Sequence, residues 1–195
     1  YQLKAKEEGR NDSWTNIEIA ICYENLDNYE KALDYALIAY DLDRDNIRIL
    51  SEVAWIYDCM DNYEEGLPFL LRAEELGRED AWLYSQIAYQ LGYSSETKNE
   101  ALEYFDKAIE LGGNDAWIFE TKGVILLDLE RYEEAIEVLL ESRQISLAEE
   151  VVVDGEDFEL AYCYIGIGDK ENAQKYLDSA RNSITERGLL NDYFK

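Results

Sequence analysis

Apolar and polar residues alternate along the chain in blocks typical of paired amphipathic helices. In residues 14–26 apolar side chains recur at helical spacing, Asp27 and Asn28 interrupt them, and residues 29–42 resume the pattern. Apolar residues three and four positions apart fall on one face of a helix, so each block predicts a helix with one buried face. The pattern therefore predicts two helices joined by a short polar turn, and the same arrangement recurs along the chain.

Small residues within these blocks recur at nearly constant intervals. One series has steps of 34, 34, 35 and 38 residues, and two others both have steps of 34, 35, 34 and 38. A fixed internal period of this size is the sequence signature of a repeat architecture. The three series are Ala20, Ala54, Ala88, Gly123 and Ala161; Ala32, Gly66, Ala101, Ala135 and Ala173; and Ala39, Ala73, Ala108, Ser142 and Ala180. Three series that share the same small insertions indicate a true repeat.

The turns within and between the units have signatures of their own. The second helix of a unit opens with an aromatic residue followed by an acid, as at Tyr29, Tyr63 and Tyr132. Acids in a first helical turn are favoured by the helix dipole. Between units, as from Gly77 to Trp82, glycine is predicted to end one helix in the left-handed conformation and aspartate to cap the next.

A 34-residue unit of this kind, with Tyr-x-x-Ala-Leu or Tyr-x-x-Ala-Ile opening its second helix, resembles the tetratricopeptide repeat. The proline usual at the joints of that family is missing, and the glycine motif stands in its place. The resemblance implies an all-α fold of tandem helical hairpins stacked into a right-handed superhelix, an α-solenoid. It also implies about five repeats over residues 12–195 with a C-terminal helical end, and it makes residues 1–11 the last turns of a truncated preceding repeat in a longer array. The repeats are predicted to begin near Ser13, Ile47, Ala81, Ala116 and Asp154.

Two irregularities interrupt the repeat. Pro68 lies inside the second helix of the second unit, where its missing N–H predicts a kink. Residues 144–157 carry the extra residues that precede the fifth unit. We expect a lengthened helix end or an ordered loop there.

The net charge narrows the class of partner. The 195 residues include 18 basic and 44 acidic ones and no histidine, for a formal net charge of −26. Such a field repels phosphate backbones and anionic lipid, so nucleic acid and membrane are poor partners, whereas basic proteins or peptides are attracted. The alternative is that the charge only keeps the helix surfaces hydrated.

The residue composition gives little support to catalysis or to cofactor binding. Without histidine, the commonest general base and zinc ligand are missing. Cys22, Cys59 and Cys163 form no CxxC pair, lie in apolar helical stretches, and favour a reducing, cytoplasmic setting. No apolar run is long enough to predict a membrane span. The sequence therefore predicts neither an enzyme nor a bound cofactor.

One acidic cluster has the spacing of a calcium-binding loop. Asp41, Asp43, Asp45 and Glu52 match loop positions 1, 3, 5 and 12. The turn glycine of such a loop is replaced by Asn46, and the repeat places the following residues in a helix. Calcium binding is therefore not predicted.

The first helices carry the predicted binding surface. In the family that these repeats resemble, one face of the first helices lines a concave groove, and here that face combines aromatic rings with acids. Rings supply contact area and acids attract Lys or Arg. For Trp14, Trp82 and Trp117 an alternative is equally well supported: they pack against the joint before them and serve stability alone. The predicted groove residues are Trp14, Ile17, Ile21, Glu24, Arg48, Trp55, Asp58, Trp82, Tyr89, Tyr93, Trp117, Glu120, Asp128, Phe158 and Tyr162.

The function predicted from these features is a protein-interaction scaffold that binds a basic or amphipathic segment in this groove. The face lacks the lysines and asparagines of the carboxylate clamp found in chaperone-binding members of the family. Two alternatives remain open: a regulatory module of a larger multidomain protein, and a structural spacer whose truncated ends allow weak self-association.

Overall fold

The protein is described by a computed structural model that places residues 12–149 and 154–186. These residues form α-helices joined by turns, and no strand occurs among them. The predicted truncated repeat in residues 1–11 lies outside the described residues. The helices are α1 Ser13–Glu24, α2 Tyr29–Leu42, α3 Ile47–Cys59, α4 Tyr63–Glu75, α5 Ala81–Gly92, α6 Lys98–Glu110, α7 Ala116–Asp128, α8 Tyr132–Ala148, α9 Asp154–Gly166 and α10 Lys170–Glu186. The predicted all-α class is confirmed.

Consecutive helices pair into hairpins, and the hairpins belong to two compact units. Unit 1, Tyr1–Leu111, contains α1 to α6, and unit 2, Gly112–Lys195, contains α7 to α10. Within unit 1, the second helix of each hairpin also packs against the first helix of the next, and α1 touches α3. Within unit 2, α8 packs against α9 in the same way, and α7 touches α9.

The turns follow the residues that the sequence marks for them. Gly77 and Gly112 both have φ of 90°, the left-handed conformation expected of a helix-ending glycine. Within hairpins the same conformation falls on acids at Asp27, Asp61 and Glu130, with φ of 54°, 58° and 58°. Short polar side chains tolerate this region better than branched ones do.

The aspartate caps predicted at the joints are present in part. Asp12 Oδ1 accepts a hydrogen bond of 2.7 Å from the backbone N–H of Thr15 in the first turn of α1. Asp80 Oδ1 caps α5 through Leu83 N at 2.8 Å. The prediction is wrong for Asp115, which holds the N-cap position of α7 but makes no capping bond with its side chain.

The two predicted irregularities lie in α4 and at the end of α8. Helix α4 contains Pro68 and continues past it to Glu75, with the proline ring on an exposed side of the helix. The extra residues before the fifth hairpin lengthen α8, which has 17 residues and ends at Ala148. A lengthened helix end was one of the two expectations for this stretch, and residues 150–153 lie outside the described range.

Small side chains allow the paired helices to approach closely. Ala20, Ala32 and Ala39 are fully buried and share one apolar cluster with residues of α3, among them Ile49 and Val53. In α7 the corresponding position is Gly123, where an added Cβ would lie 2.5 Å from Leu139 Cδ2. Leu139 is itself fully buried, so it has little room to move.

We predict that Gly123→Ala destabilises unit 2 although alanine is the better helix former. The substitution gains about 1 kcal/mol of helix propensity, but overpacking against Leu139 costs about 1–3 kcal/mol. Chemical denaturation should show a lower midpoint for the variant. The matched control is Gly155→Ala, because its Cβ would meet Glu120 Oε1 at an ordinary 3.4 Å. Equal midpoints for both variants would contradict the close approach at Gly123.

Candidate functional site

The exposed residues of α1, α3 and α5 make up a surface of unit 1 that we call the unit-1 face. At its start the Arg48 guanidinium lies 4.6 Å from the centre of the Trp14 ring. Arg48 Nη2 is also 2.6 Å from Glu18 Oε1. The two contacts hold Arg48 across α1 and neutralise its charge, so it joins Trp14 and Glu18 into one patch.

Trp55 is fixed at the middle of this face by an acid from the preceding hairpin. Its indole Nε1 donates a hydrogen bond of 2.8 Å to Glu24 Oε1, and 37% of the residue remains exposed. An indole with its N–H satisfied presents an apolar body to solvent without losing its orientation. Trp55 is therefore a rigid aromatic surface.

Two carboxylates beside Trp55 lie in an environment that disfavours their charge. Burial raises the pKa of Glu52 to about 7, and a hydrogen bond with Glu24 and repulsion from it add to the effect, while Arg48 opposes it. Burial, and then the charge of Asp61, also raises the pKa of Asp58. Glu52 Oε1 and Asp58 Oδ1 are buried and accept no hydrogen bond. Both acids have unused capacity for a donor.

Trp82 closes the far side of a cleft that begins at Trp55. The Arg78 guanidinium lies 4.4 Å from the Trp82 ring centre, and Arg78 Nε is 2.7 Å from Asp80 Oδ2. Arg78 Nη1 also donates to the hydroxyl of Ser51 on α3. The cleft has a volume of about 370 Å³ and is lined by Ile47, Arg48, Ser51, Glu52, Trp55, Arg78 and Trp82.

Three tyrosines cluster beyond this cleft. Tyr63 and Tyr93 are stacked with ring centres 3.8 Å apart, and Tyr89 meets both rings edge-on at 5.7 and 5.2 Å. The Tyr89 and Tyr93 hydroxyls are 2.6 Å apart, and Tyr63 donates to Asp61 Oδ1 at 2.8 Å. Burial, and then the hydrogen bond with Tyr93, raises the pKa of Tyr89 to about 12.

Unit 2 has a smaller surface of the same kind on α7 and α9. Trp117, Phe158 and Tyr162 are exposed there. Glu159 follows Phe158 on α9, and its buried Oε2 accepts no hydrogen bond. Burial raises the pKa of Glu159 to about 8, and repulsion from Glu120 and Glu156 contributes. Burial, and then Glu156, also raises the pKa of Glu120.

Polar contacts attach the start of α9 to α8. Glu156 Oε1 accepts a hydrogen bond of 2.8 Å from Ser146 Oγ, and both residues are buried. Arg143 Nε is 2.6 Å from Oδ1 of Asp157, which is fully buried. A charge-assisted contact of this kind is costly to break because the remaining charge would be buried alone.

The structure assigns the predicted groove residues to different environments. Ile17 was predicted to line the groove, but it is only 1% exposed and belongs to the core shared with α2 and α3. Its repeat equivalents in unit 1, Ser51 and Ser85, are also buried, whereas Phe158 at the same position in unit 2 is exposed. Residues that stay at least partly accessible on the unit-1 face are Trp14, Ile21, Glu24, Arg48, Trp55, Asp58, Trp82, Tyr89 and Tyr93; those in unit 2 are Trp117, Glu120, Asp128, Phe158 and Tyr162.

The question of the joint tryptophans has a mixed answer. Trp82 contacts the joint residue Arg78 on one side and remains partly exposed on the other. Trp14 contacts Arg48 of the next hairpin instead and is the most exposed of the tryptophans. Packing and accessibility therefore coexist at these positions.

Two acids of the calcium-like spacing are held by basic partners. Asp41 pairs with Arg44 and Asp45 with Arg72, each at 2.8 Å, and Glu52 lies in α3. No group of three or more metal-ligating side chains occurs within residues 12–149 and 154–186. In the same part of the chain, no helix is both long and apolar enough to cross a bilayer.

Several residues of the site were missed by the sequence analysis. Glu18, Glu52 and Arg78 were not predicted, because they lie outside the stripe of each first helix that predicts the groove. Glu52 precedes Trp55 by three residues and so lies near it on α3, which is the signal that could have identified it. Arg78 belongs to the joint motif, but its contact with Ser51 depends on how successive hairpins pack.

Comparison with known proteins agrees with this architecture. A sequence profile described as tetratricopeptide repeat matches residues 118–146 and 158–180, within the two hairpins of unit 2. Unit 2 contains tetratricopeptide repeats. The resemblance found in the sequence is thereby confirmed. No curated protein matches the chain by sequence.

Solved tetratricopeptide-repeat structures share the fold over nearly the whole chain. YrrB, described as a TPR protein with an unusual peptide-binding site, is 22% identical with a TM-score of 0.78, covering 100% of this chain and 98% of YrrB. A MamA crystal structure is 16% identical with a TM-score of 0.79, covering 90% and 93% of the two chains. MamA 41-end from Desulfovibrio magneticus RS-1 is 13% identical with a TM-score of 0.79, covering 89% and 96%.

We predict that Glu159 makes the protein less stable as the pH rises. An acid whose pKa is higher in the folded than in the unfolded chain stabilises fully below the unfolded value, near 4.5, and loses this contribution as the pH rises through about 8. Glu159→Gln should therefore raise the denaturation midpoint at pH 8.5 and change it little at pH 5.

The control for this prediction is Glu137→Gln, which removes an equal charge from an exposed position on α8. Denaturation midpoints of both variants and the parent should be compared at the two pH values. A pH-dependent gain of the same size in Glu137→Gln would assign the effect to general charge repulsion and not to the burial of Glu159.

Proposed function

We propose that the chain is a protein-interaction scaffold whose unit-1 face binds a partner segment that carries basic and apolar side chains. The observation that carries the proposal is the arrangement around Trp55. Its exposed indole is held by Glu24 at 2.8 Å and lies beside Glu52, a carboxylate with a buried oxygen that accepts no hydrogen bond. A rigid ring next to an acceptor without a donor suits a side chain that has both an apolar stem and a positive end.

The charge of the face supports a basic partner. Arg48 and Arg78 are both paired, with Glu18 and Asp80, so neither is free to attract an anionic ligand. Glu52 and Asp58 lie nearby without such pairing. The chain as a whole carries a formal charge of −26, which would also speed the encounter with a basic segment at low salt.

The cleft between Trp55 and Trp82 has a suitable size for one anchoring side chain. Its volume of about 370 Å³ lies at the lower end of the range for small-ligand pockets. Aromatic residues in such clefts commonly carry much of the binding energy of an interface. Unit 2 offers a second contact surface of the same composition, with Phe158 and Tyr162 exposed beside Glu159.

The state of the thiols supports binding over catalysis. Cys59 interacts electrostatically with Glu52, and Cys163 with Glu159. Burial raises the pKa of both thiols to about 11, with the nearby acids adding to the effect. A nucleophilic cysteine needs the opposite shift. The perturbed acids are thus poor activators of the nearest nucleophiles.

The likeness to YrrB is consistent with this proposal. That protein is described as having an unusual peptide-binding site, and its fold extends over the whole of this chain. At 22% identity the likeness concerns the fold, so the chemistry of a ligand must come from the side chains of this chain. Those side chains are the indoles and unpaired acids described above.

A selection experiment tests the proposal directly. A random peptide library displayed on phage should be selected against the full chain and then against Trp55→Ala/Trp82→Ala. We expect enriched peptides to combine Lys or Arg with apolar residues, and to bind the double variant at least tenfold more weakly. Tenfold corresponds to about 1.4 kcal/mol, which is modest for the loss of interface tryptophans.

The matched control is Ile38→Ala, which removes a side chain of similar exposure (38%) from α2, the second helix of its hairpin. It should leave peptide affinity unchanged. Peptides that lose affinity equally in both variants, or that lack basic residues and are insensitive to salt, would refute the proposed surface.

A further inference from the structure

A separate cavity lies between the start of α4 and the end of α5, and we call it the tyrosine pocket. Its volume is about 610 Å³, within the range typical of small-molecule sites. The residues important for its chemistry are Asp61, Tyr63, Glu64, Glu65, Gln90 and Tyr93. It shares none of its lining residues with the cleft between Trp55 and Trp82.

Gln90 is the first sign that the tyrosine pocket is built to hold something. The residue is only 5% exposed, and its Oε1 accepts no hydrogen bond. Its amide packs against α4, where a Cβ added to Gly66 would lie 3.2 Å from Gln90 Nε2. A buried acceptor without a donor is destabilising. A ligand that donates a hydrogen bond here would offset part of that destabilisation.

The aromatic wall of the pocket is rigid and accessible. Tyr63 and Tyr93 are stacked at 3.8 Å, and their hydroxyls are held by Asp61 and Tyr89. Tyr93 is nevertheless 56% exposed. Ring faces fixed in this way attract cations without first losing side-chain entropy.

The charge of the pocket is negative. Asp61, Glu64 and Glu65 line it, and none of its described lining residues is basic. The N-terminus of α4 opens into the same region and would by itself favour an anion, since Asn62 makes no capping bond with its side chain. Its partial charge of about +0.5 is outweighed by the full charges of the neighbouring carboxylates.

We propose that the tyrosine pocket binds an organic cation: an ammonium or guanidinium group on a short apolar stem. The stem packs against Tyr63 and Tyr93, the cation is balanced by Glu64 and Glu65, and an N–H reaches Gln90 Oε1. The same chemistry is offered by a free amine or guanidine and by a Lys or Arg side chain of a bound protein. This inference does not depend on the partner-binding face around Trp55.

Butylguanidinium is a suitable probe, with 1-pentanol as a neutral molecule of similar size. Titration of the full chain, followed by calorimetry and by amide chemical shifts, should show saturable binding of one butylguanidinium and none of pentanol. The shifted amides should lie around Gln90 and Tyr93. Equal binding of pentanol, or the absence of saturation, would overturn the proposal.

The chain supplies its own control for unspecific attraction to a negative surface. Glu64→Gln/Glu65→Gln neutralises the pocket acids, and Glu133→Gln/Glu134→Gln neutralises the equivalent, exposed pair at the start of α8. We expect the first variant to bind butylguanidinium at least fivefold more weakly and the second to match the parent. Equal weakening in both would reduce the effect to net charge and refute the site.

Two further variants test the specific contacts. Gln90→Met removes the buried acceptor while keeping a similar volume, and Tyr93→Ala removes one wall. Both should weaken butylguanidinium binding while circular dichroism shows an unchanged helical content. If Gln90→Met fails to fold, the exposed glutamates still decide the question.

The source of the cation is found by competition. A basic peptide selected on the Trp55 face should be added to the butylguanidinium complex. If the peptide displaces butylguanidinium, and Tyr93→Ala weakens the binding of that peptide, a side chain of the bound segment is the ligand. Simultaneous binding identifies a separate small molecule. If no peptide is selected on the Trp55 face, the butylguanidinium titration still tests the tyrosine pocket. The two proposals are therefore tested separately.

Discussion

A hairpin of two amphipathic helices cannot bury its apolar surface alone, and the structure of this chain depends on that constraint. The core cluster that contains Ile17 and Ala36 also contains Val53 and Ile56, so it belongs to two successive hairpins and not to either one. Helices approach closely enough to share it because alanine or glycine stands at the crossing positions. In repeat proteins each unit is stabilised chiefly through its neighbours. Exposed rings on the first helices are what remains after this packing is complete.

The chemistry of the surface follows from the same arrangement. Stacking brings acids from successive first helices together, as with Glu24 and Glu52, or Glu120 and Glu159. Burial and a neighbouring carboxylate both raise the pKa of Glu52 and of Glu159. In an enzyme such shifts often serve proton transfer. Here the carboxylates lie beside indole and phenol rings. The more direct consequence is that they favour the binding of a positively charged partner.

The fold could be predicted from the sequence because it depends on periodicity, and the fine structure of the surface could not because it depends on contacts between hairpins. Small residues at a constant interval suffice to indicate tandem hairpins. By contrast, Ile17 and Trp14 differ by three residues and were assigned to one face, yet Ile17 is buried and Trp14 is exposed. The contacts of Arg78 with Ser51 and of Arg143 with Asp157 join residues 27 and 14 positions apart. Spacing within one helix carries no information about such pairs.

The attachment of α9 to α8 has a consequence for how unit 2 opens. The core shared by the first two hairpins of unit 1 is apolar, and apolar surface can separate by small degrees as water enters. At this joint Asp157 and Glu156 are buried, with Asp157 Oδ1 held by Arg143 and Glu156 Oε1 held by Ser146. A slight separation would leave those charges unpaired before they were hydrated, which is the least favourable state for a buried ion. The last hairpin should therefore detach from α8 as one cooperative block, with a sharp barrier in place of gradual fraying.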